Sequence, residues 1–147
     1  DASKGGVARL WRLRARTHTD EQAGPEVAPN APFNDRDWGT ALSLVDGRLT
    51  KEELSAGLTG NNVNKYTGVV AVYAATQFQS AKAGPVNFKL AGVAKAQVWI
   101  DGKPAGNSGD IKADLPAGTH TIVVKLDSRQ LPEQLTLRSG DVSFVVN

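Results

Sequence analysis

The side chains that could do chemistry in this 147-residue chain are few and scattered. Trp11, Trp38, Tyr66, Tyr73 and Trp99 could stack on the apolar face of a sugar ring while Asn, Asp, Arg and Lys bind its hydroxyls. Arg12, Arg14, Arg16 and His18 recur at every second position. On a strand that spacing lines up guanidinium groups about 6.8 Å apart, a row suited to an anionic glycan or an acidic partner surface. Asp110 and Asp114, with carbonyls near Asn107 and Gly109, offer oxygen ligands to a hard cation, so a structural calcium is one expectation. His120, Asp127 and Ser128 are the residue types of a hydrolytic triad. Asp46, Asp101, Asp110, Asp114 and Asp127 are candidates for a glycosidase carboxylate pair.

Each pattern also has a purely structural explanation. All five aspartates fall where turns are expected, the ordinary place for Asp. His120 follows a Gly-Thr strand entry, where a histidine on the sheet surface is expected. The arginine row can face solvent and pair with acids downstream. Residues 1–16 hold Lys4, Arg9, Arg12, Arg14 and Arg16 against Asp1, whereas residues 17–53 are dominated by acids. Trp99 lies between Val98 and Ile100, and alternation sends it to the side opposite both. Either those two face the interior and Trp99 is a stacking platform, or Trp99 is the interior residue. With only 6% aromatics, the chain is expected to keep Trp99 and Trp11 inside. Trp38 and Tyr66 border loops and are the better ligand candidates.

Several function classes fall away. There is no G-x-S-x-G elbow, P-loop, H-E-x-x-H or dinucleotide fingerprint. Cys is absent, which excludes within this segment a disulfide, a thiol nucleophile, a Cys-ligated zinc, an iron–sulfur cluster and an attached c-type haem. A formal net charge of +2 is far from the basic concentration of a nucleic-acid binder, and nucleic acid is not an expected partner. No apolar run approaches the ~20 residues of a membrane-spanning helix, so no membrane insertion is expected. Leu, Ile, Val and Phe make up about a quarter of the chain, too many for a disordered one.

The elements that must position these groups read as strands. Residues 7–19 alternate, with Trp11, Leu13 and Ala15 against the arginines, the period of a strand with one buried face. Residues 20–37 hold Pro25, Pro29 and Pro32 and form one long N-terminal loop. A short apolar strand from Trp38 ends in an Asp46-Gly47 turn, and Thr50 to Glu53 has the capping-box pattern of a single helical turn. Residues 57–66 are a second loop. Strands are then expected over 67–79, 85–90, 96–100, 119–127, 134–138 and 142–146. Asp101-Gly102 makes a hairpin turn and residues 106–109 a second turn. With the two N-terminal strands the count is about eight.

The span from Gly84 to Arg138 carries a recognisable pattern. A strand VNFKLAG leads to Val98-Trp-Ile-Asp-Gly-Lys-Pro104, then Leu115-Pro-Ala-Gly-Thr-His-Thr-Ile-Val-Val-Lys-Leu126 and a last strand LTLR. This resembles the core of galactose-binding-like and PA14-like β-sandwich modules. It is also similar to β-sandwich domains in large exported proteins of the Planctomycetes, which combine dehydrogenase-like or haem domains. The resemblance implies a sandwich fold and an accessory role. Two departures stand out. PA14-type modules that bind sugar through calcium carry paired acids before the Trp strand, where Ala91–Ala96 here has no carboxylate; haem-bearing relatives carry a Cys-x-x-Cys-His segment that this chain lacks.

The expectation is therefore one all-β domain over residues 1–147, an antiparallel, jelly-roll-like β-sandwich. The blunt start at Asp1 and a strand running to Asn147 lead us to expect a piece of a longer, extracytoplasmic (periplasmic or secreted) protein. The expected role is a non-catalytic accessory module without a cofactor, partnered by neighbouring domains or subunits. A carbohydrate-binding module that targets an enzyme to polysaccharide is the first alternative. A small glycan-active enzyme domain using loop carboxylates is the second. Site candidates are Trp38, Tyr66, Trp99, Arg12, Arg14 and Arg16 for a ligand, and Asp110 and Asp114 for a metal.

Overall fold

The computed structural model describes residues 6–17, 39–44, 46–54, 69–93, 96–106, 109–127 and 132–145. In chain order the strands are β1 (Leu10–Thr17), β2 (Gly39–Leu42), β3 (Leu49–Thr50), β4 (Val69–Ser80), β5 (Gly84–Ala91), β6 (Gln97–Ile100), β7 (Lys103–Gly106), β8 (Asp110–Leu115), β9 (Gly118–Asp127), β10 (Gln134–Arg138) and β11 (Ser143–Phe144). Among the described residues every pairing is antiparallel. One sheet has seven strands in the order β2-β1-β4-β9-β6-β7, with β11 also pairing β4; the other has four in the order β3-β10-β5-β8. The expected all-β antiparallel sandwich is the fold. The expected loops at 20–37 and 57–66 lie outside the described residues.

Alternation builds the interior. In β5, Val86, Phe88 and Leu90 are buried while Pro85, Asn87, Lys89 and Ala91 are exposed. In β9, Ile122, Val124 and Leu126 take the same inward row, and Trp11 and Leu13 of β1 join them. Each such side chain contributes about 1.5–3 kcal/mol on leaving water. Three rings connect the layers. Phe78 of the large sheet lies 4.9 Å, centroid to centroid, from Phe88 of the small one, and both lie 6.3 Å from Phe144. These edge contacts add about 0.5–1.5 kcal/mol each beyond the area they bury.

Local chemistry sets the ends of the strands. Asp101 and Gly102 have φ of 52° and 83°, the left-handed pair that a two-residue hairpin between β6 and β7 requires. Residues 51–54 form the expected helical turn, with Thr50 Oγ1 accepting the Glu53 N–H at 3.4 Å.

The strand count departs from expectation. Among the described residues there are eleven strands rather than about eight. The segment after the Asp-Gly hairpin holds two strands that were not expected, β7 in the large sheet and β8 in the other. Sequence concealed β8 because it is an outer strand. Ile111 alone of its residues is fully buried, while Asp110, Lys112 and Asp114 are exposed. Charges of this kind keep a sheet edge from pairing with another chain.

Candidate functional site

The strand of the arginine row, β1, pairs with β4, the strand that carries Tyr73. Register places Arg12 opposite Ala75 of β4 and Thr40 of β2, and places the strand positions of Arg14 and Arg16 opposite Tyr73 and Ala71. Arg12 is half-buried and Thr40 is exposed. Further along the same rows, Ala75 pairs with Val123, and Val123 with Trp99. Tyr73, Ala75, Trp99 and Val123 form a second apolar cluster, separate from the main interior. Tyr73 and Trp99 meet edge to face with centroids 6.2 Å apart.

Trp99 thus satisfies neither arrangement expected for it. Val98 and Ile100 face the main interior, which puts Trp99 on the opposite side, yet only 7% of Trp99 is exposed. It is a packed residue of the outer cluster. Trp38 and Tyr66 lie outside the described residues. The large exposed apolar side chains among those described are Leu42 and Leu44, at and just beyond the end of edge strand β2.

The acids are dispersed. Asp110 and Asp114 are in strand β8, not in turns, opposite Lys89 and Pro85 of β5. Four residues of extended chain separate their backbones by about 13 Å, too far for one cation to touch both carboxylates. Asp110 Oδ1 lies 3.3 Å from Lys89 Nζ, with both groups largely in solvent. Among the described residues no three His, Asp or Glu side chains gather as a metal site would require. Asp46 pairs with Arg48 at 2.7 Å, and hydrogen bonds from Arg48 hold its carboxyl below the usual range.

His120 is the functional type that sequence reasoning misplaced. It was expected on the sheet surface and is buried, opposite Phe78 and in the row of Ile122 and Val124. That row was visible in the alternation. Its ring is fully engaged: Nδ1 lies 2.5 Å from Asp101 Oδ2, and Nε2 lies 2.8 Å from the Pro116 carbonyl. The other carboxylate oxygen of Asp101 accepts the Thr121 N–H at 3.0 Å, and the Asp101 N–H donates to the Thr121 carbonyl at 2.9 Å. Phe78 lies 5.5 Å away, ring to ring. Burial alone would lower the imidazole pKa; the bonds to Pro116 and then Asp101 outweigh it and hold the value above the usual one. Asp127, the acid of the candidate hydrolytic triad, stands at the far end of β9, about 23 Å along an extended strand. Ser128 lies outside the described residues. The structure brings His120 to Asp101 instead.

No family model matches the sequence, and no curated protein matches it. Among solved structures, the exo-β-D-glucosaminidase CsxA superposes with a TM-score of 0.53 at 14% identity, over 90% of this chain and 20% of that one. A GH2 β-galacturonidase from Eisenbergiella tayi gives 0.48 at 15% identity, over 88% of this chain and 23% of that one. A PA14 sugar-binding domain from an RTX adhesin gives 0.36 at 11% identity, over 95% of this chain and 94% of that one. The chain therefore spans less than a quarter of the glycosidase chains it resembles. At such low identity the likeness is one of architecture: nine-tenths of this chain shares the β-sandwich of a stretch covering one-fifth of a glucosaminidase.

Proposed function

We propose that the chain is a non-catalytic accessory module of a larger exported protein, working by presenting a folded surface to neighbouring domains or subunits. The observation that carries this reading is the asymmetry of coverage: the fold occupies nearly all of this chain but a fifth of the glucosaminidase it resembles. Its best-placed chemical groups support the reading. His120 and Asp101 spend their hydrogen bonds on one another and on backbone, and Trp99 on packing. Carbohydrate is the second reading, favoured because the chain with the like fold is itself a glycosidase.

The test is a polysaccharide panel, scored by tryptophan fluorescence and by release of reducing sugar. The accessory reading expects no sugar release from any glycan. Hydrolysis that disappears when a single Asp is replaced would overturn it. A fluorescence response without hydrolysis, abolished by Trp38→Ala, would establish the carbohydrate-binding form. Export is checked by fractionating cells that make the full-length protein, with recovery in the cytosol as the refuting result.

A further inference from the structure

We propose that His120 is a proton-held clasp, a cationic imidazole that ties the β6–β7 turn to the β8–β9 turn and lets one of them go when it loses its proton. Each ring nitrogen faces an acceptor. The Pro116 carbonyl oxygen has no hydrogen to give, so Nε2 must donate to it. The ionised Asp101 carboxylate likewise has only lone pairs, so Nδ1 must donate too. A neutral imidazole carries one N–H, and both contacts are made only by the doubly protonated ring.

The surroundings suit that charge. Asp101, on the β6–β7 turn, is the ionisable group acting on the ring among the described residues. The β8–β9 turn presents the Pro116 carbonyl, and β4 presents the Phe78 face within cation–π range. Removing the proton leaves a lone pair aimed at an acceptor. The remaining hydrogen stays with the carboxylate, which is the stronger acceptor, so the contact to Pro116 fails and the Pro116-Ala117 turn comes free. Asp101 keeps its two backbone links to Thr121, so the β6–β7 turn stays closed. The direction with pH follows. The folded-state value lies above the unfolded one of about 6.5. The clasp's stabilisation is full below that value and is lost as pH rises through the folded-state value.

The chain has only two histidines, which makes the test direct. Imidazole nitrogen resonances of the whole protein are followed from pH 5 to pH 10, with His18→Gln assigning the second set. His120 is expected to show both nitrogens protonated and to titrate above 6.5, with the Gly118 and Thr121 amides shifting at the same midpoint. Thermal melting is expected to fall through that midpoint in the wild type and to run flatter in His120→Gln. A single neutral tautomer at pH 6, or a midpoint at or below 6.5, overturns the proposal. Wild-type resonances alone decide it if the variant does not fold.

Discussion

Replacing Trp99 with alanine separates a ligand platform from a packed residue. A Trp side chain removes about 150–250 Å2 from water, and at about 25 cal/mol per Å2 that is roughly 4–6 kcal/mol. Trp99 is only 7% exposed, so nearly all of this applies. Buried Trp truncations cost about 3–5 kcal/mol, and the edge contact with Tyr73 contributes about 0.5–1.5 kcal/mol more. For a chain of this size each kcal/mol moves Tm by about 2–4 °C, giving a fall of about 7–26 °C. Urea unfolding followed by circular dichroism reads the loss without relying on the fluorophore removed. Trp99→Phe, which retains a ring against Tyr73, is expected to cost less than half as much. A solvent-facing platform would instead change stability by about 0.5 kcal/mol or less. A loss below about 1 kcal/mol in the alanine variant would refute the packed assignment, and with it the reading of the outer cluster.

Gly92→Ala is expected to cost about 3 kcal/mol or more, because a Cβ there would sit 1.9 Å from the Gln134 carbonyl oxygen, at φ +107°, and break the β5–β10 register. Gly84→Ala has strained φ but open space around it, so a cost of about 1 kcal/mol is expected; equal losses in the two variants, measured by urea melts, would contradict the close approach. Thr76→Val removes the hydroxyl that donates to the Leu10 carbonyl at 2.7 Å between β4 and β1. A destabilisation of about 1–3 kcal/mol with unchanged strand content by circular dichroism is expected, and no loss would show that the bond is not formed.

Much of the architecture is legible wherever one strand face is buried and the other wet. Val86, Phe88 and Leu90 alternate with Asn87 and Lys89, and the sheet obeys them residue by residue. The Asp101-Gly102 hairpin is equally direct, since few sequences tolerate two consecutive positive φ values. β8 was hidden for a physical reason: an edge strand covered on one side alternates Asp, Lys and Asp with few large apolar residues, and that mixture reads as loop. Trp99 shows a different limit. Alternation fixes which side of the sheet it takes, but whether that side is covered depends on contacts remote in sequence. His120 was misread by its type, since its parity with Ile122 and Val124 already assigned it to the interior row. What alternation could not supply was Asp101, whose carboxylate reaches it from a turn nineteen positions earlier.

The second margin of β4 is shared: β1 occupies its first half and β11 its last residues. Partners from opposite ends of the sequence must therefore arrive before that margin is closed. Chains dominated by such remote pairing fold in about milliseconds to seconds. During synthesis residues 10–17 wait for β4, and β4 waits in turn for residue 144. Until then its free amides can recruit a strand from another nascent copy, which makes misassembly a hazard of translation timing.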